Sequence, residues 1–222
     1  MAQSSLSRRL SAQDAAFLYF ESEEAPMQIG SIAIFEGEFS YERFRDHIAS
    51  KLHLIPRYVQ RIVPVPFNLG HPTWEWDPEF DINRHIMPVR MDSPGTDAQL
   101  MDLAAKIFAG PLDRGKPLWE MRVVHGLEGG RTALVSKVHH CLVDGVSGIE
   151  LLMIVLDVSP NPAPQLPGDP YNPPPIPGPT SRIIDAIFDN LSVELDRIAA
   201  FQKAVVDAVA TGESQTRSMV KA

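Results

Sequence analysis

The chain has one cysteine, Cys141, among 222 residues. A lone thiol cannot close an internal disulfide or supply a thiolate zinc cluster, which fits a reducing compartment. Long apolar runs are missing as well. No segment matches the roughly 20 apolar residues of a bilayer-spanning helix. The opening MAQSSLSRRL has arginines but no apolar signal-peptide core behind them. The expected location is therefore the cytoplasm. Positive charge is scarce: 20 Lys and Arg against 28 Asp and Glu give a formal net charge of -8. No basic run stands out beyond Arg8-Arg9, so neither nucleic-acid binding nor electrostatic docking on anionic lipid is provided for. Apolar contact with a lipid surface does not depend on charge and stays open. Also lacking are an internal repeat and a serine in a G-x-S-x-G nucleophile elbow.

What is present is enough apolar residue, 44% of the chain, to bury a core. Ten of the 20 prolines crowd between Pro160 and Pro179. Missing backbone donors and restricted preceding residues bar that segment from a sheet interior or a helix, so it reads as an extended strap. Strands and helices mix before it, as in an α/β fold. A short helix or turn falls within Leu10 to Phe20, and MQIGSIAIF from Met27 to Phe35 reads as a strand. Ser40 caps a helix through Leu52, with Phe44, Ile48 and Leu52 at four-residue spacing. Strands are expected at Gln60 to Val65, His85 to Met91, Trp119 to His125 and Thr132 to His139, and a helix from about Asp97 to Phe108. Ser147-Gly148-Ile149-Glu150 has the form of a capping box opening a buried helix to about Leu156. Past the strap, Ile184, Phe188, Leu191, Leu195, Ile198, Val205 and Val209 form one helical stripe, which wants a partner surface.

KVHHCLVDGVSG, from Lys137 to Gly148, carries the most chemistry. If the strand continues through His139 and His140, their side chains leave opposite faces and cannot grip one ion. A zinc site would need further ligands that Asp144 alone does not supply, so no metal is expected. Two core histidines remain the plain alternative. Against it, an apolar strand, an Asp-Gly turn and a capped buried helix would place an imidazole at the mouth of a rigid scaffold, with a native pKa suited to proton transfer. One histidine then faces the reaction while the other packs or supports it. Alternation groups His139 with Val135 and Lys137, and His140 with Leu134, Ser136 and Val138. Cys141 follows the pair too closely to be presented as its nucleophile. Asp144 reads as a turn stabiliser, with Arg122 or Arg131 as an ion-pair candidate, and Gly145 as the residue permitting positive φ or close approach. In HPTWEWDPEFDINRHI, the residues His71, Trp74, Trp76, Asp77, Asp81 and His85 could be drawn as a metal or sugar site. Alternating Trp and acid fits a half-buried strand better. Glu21, Glu23 and Glu24 read as a solvated turn.

HHCLVDG matches the HHxxxDG signature of the CoA-dependent acyltransferase superfamily, which includes peptide-synthetase condensation domains. With LSAQDAAFLYFESEEAPMQIGSIAIFEG and PLDRGKPLWEM, it resembles the bacterial wax ester synthase/acyl-CoA:diacylglycerol acyltransferase family. The resemblance implies a chloramphenicol acetyltransferase-like two-layer sandwich of a mixed sheet with helices, one lobe of a two-lobe enzyme. It implies His140 as general base, His139 as auxiliary, and Asp144 and Gly145 as support and turn of the motif. The base would take the proton of a diacylglycerol or long-chain alcohol hydroxyl as that oxygen attacks a fatty acyl-CoA thioester. Transfer would be direct, giving triacylglycerol or wax ester, with no cofactor because acyl-CoA is a substrate. Pro117, Leu118 and Trp119 would be structural or line the acyl path, and Trp119 reads equally well as a core aromatic.

The resemblance divides the chain into an acyltransferase lobe at 1–159, the proline-rich linker at 160–180, and an amphipathic helix at 181–222 that would dock on a C-terminal lobe absent here. Expected partners are acyl-CoA, the lipid alcohol, that second lobe, and, peripherally, the inner membrane or lipid droplets; nucleic acid is not among them. The rival readings are a condensation-type transferase using a carrier-protein thioester and a non-catalytic lipid- or CoA-binding lobe.

Overall fold

The structure is a computed structural model, and it describes residues 8–143, 154–156 and 171–219, with side chains as far as residue 203. Two compact units divide the chain. The first comprises residues 1–64 and 71–176, and the second 65–70 and 177–222.

The first unit is built on a four-stranded mixed sheet. Its strands are β1 (Gln28–Phe35), β4 (Ile86–Arg90), β5 (Trp119–Leu127) and β6 (Arg131–His139), in the order β1-β6-β5-β4. β6 runs antiparallel to β1 and β5, and β4 runs parallel to β5. Pro88 lies in β4, where an edge strand tolerates the missing donor. A separate antiparallel pair, β2 (Gln60–Val63) and β3 (Thr73–Trp76), carries the Trp/acid alternation. That segment is a strand as expected, although Trp74 and Glu75 are both buried.

Period-two alternation decides which core each strand residue joins. Trp119, Met121, Val123 and Leu134 pack with Phe44 and Ile48 of helix α2 (Tyr41–Lys51), which Ser40 caps through the Arg43 amide. Val124, Ala133 and Val135 face the other way, onto Leu100 and Ala104 of helix α3 (Asp97–Ala109). The expected mixed sheet with helices is present, with one refinement: helices cover both faces. Thr96 and Gln99 close α3 with a capping box. At its far end, the buried Lys137 donates to the Ile107 and Gly110 carbonyls, and Gln28 Nε2 donates to those of Phe108 and Gly110. Four bonds to three orphan carbonyls thus tie the end of α3 to β1 and β6.

Helix α1 (Ala12–Phe20) is capped by Ser11 through the Asp14 amide and buries Ala15 and Leu18. Of the helix read from Ser147 to about Leu156, only 154–156 are described. Val155 there is buried in the α2 core. The Ser147–Glu150 capping box lies outside the described residues. Tyr171 in the proline-rich strap donates its hydroxyl to the Val59 and Asp77 carbonyls, at 3.1 and 2.7 Å.

The second unit is dominated by helix α4 (Pro179–Met219), in which Pro179 takes the first helical position, where no amide hydrogen is needed. Asn190 donates to the Leu69 carbonyl within this unit. Ala186 is buried, while Ile184, Phe188, Leu191, Leu195 and Ile198 of the expected stripe are all exposed. The side chains of Val205 and Val209 lie outside the described residues. No described helix is long and apolar enough to cross a membrane.

Candidate functional site

β6 ends at His139, and His140 opens a single 3-10 turn, His140–Leu142. The two histidines are therefore separated by a change of backbone conformation and not only by strand alternation. His139 keeps its place on the Val135–Lys137 face and is fully buried. Its Nδ1 accepts the Cys141 amide hydrogen at 3.1 Å, so the imidazole caps the turn that follows it. Burial pushes the His139 pKa down, and the facing Glu21 carboxylate offsets this only in part.

His140 is half-buried. Its amide donates to the Met27 carbonyl at 2.9 Å, which anchors the turn to the start of β1. Its ring stacks on Phe17 of α1, with centroids 4.9 Å apart and planes 17° from parallel. No hydrogen bond within the described residues engages its ring nitrogens. Of the pair, only His139 has a ring nitrogen in a hydrogen bond among the described residues.

Glu21 corrects one expectation. Only Glu23 and Glu24 are exposed. Glu21 turns inward: Arg114 donates to its Oε2 at 2.7 and 3.2 Å, the Met27 amide to its Oε1 at 3.2 Å, and Oε1 stands 3.4 Å from His139 Nε2. Burial by itself would raise the Glu21 carboxyl. The Arg114 hydrogen bond, the His139 charge and the Met27 amide outweigh it and hold the pKa below the usual range. Charge patterning missed both residues. The available signal was that each falls in one of the quoted motif stretches, outside the histidine motif.

Cys141 is buried, and burial pushes its thiol pKa far up, away from the thiolate a nucleophile requires. Asp144 and Gly145 lie outside the described residues. Among the described residues, the arginines considered for Asp144 meet other partners, Arg131 with Asp97 at 2.8 Å and Arg122 with Glu120 at 3.3 Å and with the Met87 sulfur. Arg131 also starts the strand that His139 ends, roughly 26 Å away at about 3.3 Å per residue.

Pro117, Leu118 and Trp119 are all buried. Trp119 is stacked between Tyr58 and His85, at 4.4 and 4.6 Å, and donates its indole hydrogen to the Tyr58 carbonyl at 2.7 Å. The Leu118 carbonyl accepts the His139 amide at 3.0 Å. Trp119 thereby joins the buried cluster that includes Phe44, Ile48 and Tyr58. Asp77, Asp81 and His85 border a small polar cavity with Arg61, Arg84 and Lys116. Among the described residues no three His, Cys, Asp or Glu side chains are grouped to hold a metal.

Residues 10–222 match the family model described as wax ester synthase/diacylglycerol acyltransferase catalytic domain. A Mycobacterium tuberculosis protein named probable diacylglycerol O-acyltransferase tgs3 is 38% identical over 205 residues, covering 91% of this chain and 74% of that protein. Another protein of that organism, also carrying a diacylglycerol O-acyltransferase name, is 37% identical over 207 residues, covering 91% of this chain but 43% of its own length. The chain thus spans less than half of some of the relatives it matches. Among solved structures, the wax ester synthase/diacylglycerol acyltransferase of Marinobacter aquaeolei superposes with a TM-score of 0.57 at 29% identity, covering 65% of this chain and 37% of that one. The first condensation domain of the calcium-dependent antibiotic synthetase gives 0.57 at 15% identity, covering 68% of this chain and 36% of that one. At that identity the likeness is one of fold.

Proposed function

Because the chain belongs to the wax ester synthase/diacylglycerol acyltransferase family, we propose that it is the histidine-bearing lobe of an acyl-CoA-dependent O-acyltransferase. Its acceptor is the hydroxyl of a diacylglycerol, a long-chain alcohol, or both. A ring nitrogen of His140 takes the hydroxyl proton as the oxygen forms its bond to the thioester carbonyl carbon. The tetrahedral intermediate then expels the CoA thiolate, which recovers the proton from the imidazolium, leaving triacylglycerol or wax ester and free CoA. Such a base contributes about 10²- to 10⁴-fold, and positioning and oxyanion stabilisation supply the rest. His139 is the auxiliary, and Asp144 and Gly145 shape the motif turn.

The observation that carries this reading is the contrast within the pair. His139 is sealed and committed to the Cys141 amide, whereas His140 is half-buried with its ring against Phe17. A general base needs a nitrogen that can still accept a proton.

The reading extends to the rest of the enzyme. The exposed stripe of α4 packs against a C-terminal lobe, the part of the longer relatives that this chain does not span. Activity requires that lobe, and lipid acceptors bring the enzyme peripherally to membrane or droplet surfaces. The test is an assay of the complete enzyme with labelled acyl-CoA and either diacylglycerol or fatty alcohol, alongside acyl-carrier protein with an amine. Labelled ester formed from acyl-CoA supports the proposal. Product formed from the carrier protein alone contradicts it.

A further inference from the structure

His139 does more than fill the core. Its Nδ1 accepts the Cys141 amide hydrogen, so a neutral ring must carry its single hydrogen on Nε2. Nε2 is buried without a formed hydrogen bond and faces Glu21 Oε1 at 3.4 Å, longer than an ordinary N–H···O contact. The carboxylate itself is fixed. Arg114 grips Oε2 through two nitrogens while also donating to the Leu18 carbonyl at 2.8 Å, and the Met27 amide holds Oε1. The Met27 carbonyl in turn receives the His140 amide. Glu21, Met27, His140 and His139 therefore close a loop of contacts around the turn, with Arg114 bracing it from the segment before β5.

The two tautomers of His139 are not equivalent here. With hydrogen on Nε2, the ring presents N–H to a carboxylate and a lone pair to the Cys141 amide. With hydrogen on Nδ1, an N–H would meet an N–H and a lone pair would meet a carboxylate, so the cap of the His140 turn would be lost. We propose that Glu21 and Arg114 are positioning residues for acyl transfer: Arg114 orients the Glu21 carboxylate, Glu21 holds the His139 hydrogen on Nε2, and His139 thereby keeps capping the turn that carries His140. This rests on His140 being the base. The carboxylate acts at one remove and does not touch the reacting atoms.

The test uses the complete enzyme, acyl-CoA with diacylglycerol, and the ¹⁵N shifts of labelled histidine. Glu21→Ala is expected to lower kcat about 10- to 100-fold, the scale of a misplaced catalytic group, with KM for acyl-CoA within about twofold. Its His139 signals should move from the Nε2–H pattern toward a mixture. Glu21→Gln keeps an oxygen acceptor and should stay within about threefold of wild type with the Nε2–H pattern intact. Arg114→Ala provides a second route and should shift the same signals with a smaller loss of kcat. Unchanged kcat in both alanine variants, a loss without a tautomer change, or equal damage from Gln and Ala would each overturn the proposal. If His140→Ala stays active, the assignment of the base fails instead, and the His139 spectra still report separately on the Glu21 contact.

Discussion

The imidazole of His140 lies nearly parallel to the ring of Phe17, 4.9 Å from it, and takes its orientation from that stack and from the Met27 carbonyl at its backbone. Such a ring pair contributes about 0.5–1.5 kcal/mol beyond buried area. Phe17→Ala should therefore lower kcat of the complete enzyme by roughly tenfold, the equivalent of about 1.4 kcal/mol. Stability should fall as well, because Phe17 also packs against the core of Leu10, Ala15, Leu18 and Trp74, so the rates are compared at matched folding. Phe17→Tyr keeps the stack and should keep the rate. Steady-state kinetics at saturating acyl-CoA distinguish the two, and equal rates for Ala and Tyr would show that the stack is idle.

Lys137 is buried, with its ammonium on the Ile107 and Gly110 carbonyls and 2.9 Å from Glu120. Lys137→Met leaves the Ile107 carbonyl without its donor, while Gln28 still serves Gly110 and Arg122 still pairs with Glu120, so a loss of about 1–3 kcal/mol is expected in urea unfolding. Glu120→Gln leaves both carbonyls served and should lose less. A stable Lys137→Met protein would mean that α3 does not depend on this cap.

Gly30 lies in β1, where an added Cβ would stand 2.7 Å from the ring of Phe108. Gly30→Ala should destabilise by about 1–3 kcal/mol through overpacking. Pairing it with Phe108→Leu should cost less than the sum of the two single changes, because both alter one contact. Strict additivity in a double-mutant cycle would show that the ring moves aside freely.

Much of the sheet was legible because its periodicity is strong. Val135, Lys137 and His139 alternate on β6 as expected, and α2 and α3 begin at the expected Ser40 cap and Asp97. The end of the strand was not legible. Nothing in the residue pattern says that a histidine will cap a turn through its own ring, so alternation groups His140 with a strand face that it does not occupy. Charge pattern alone makes Glu21 look solvated for a similar reason. Its partners, Arg114 and His139, lie 93 and 118 positions away along the chain, and local charge pattern carries no information about them. Trp119 read equally well as lining or core, and its two stacking partners, from separate segments, bear on that choice.

Two histidines set the acid response of stability. Burial lowers the pKa of His85 despite its bond to the Trp119 carbonyl, and burial lowers that of His139 despite Glu21. Each folded pKa lies below the unfolded value near 6.5, so on acidification the unfolded chain takes up protons first. Stability should fall as pH drops below about 6.5, by at most about 1.4 kcal/mol per pH unit for each histidine, until the folded pKa values are passed. Glu21, with a lowered carboxyl, adds a loss of the same sign below about pH 4.5. Urea midpoints at pH 7.5, 6.5 and 5.5 check this, and a flat or rising series would contradict it.

The most direct measurement is the single-turnover rate of ester formation by His140→Ala in the complete enzyme, read beside wild type and His139→Ala at matched folding. The account predicts that His140→Ala loses about 10²- to 10⁴-fold in rate with only the small loss of thermal stability that its stack on Phe17 accounts for, while His139→Ala loses more stability, because its ring caps the turn. Wild-type turnover by the His140→Ala protein would contradict it.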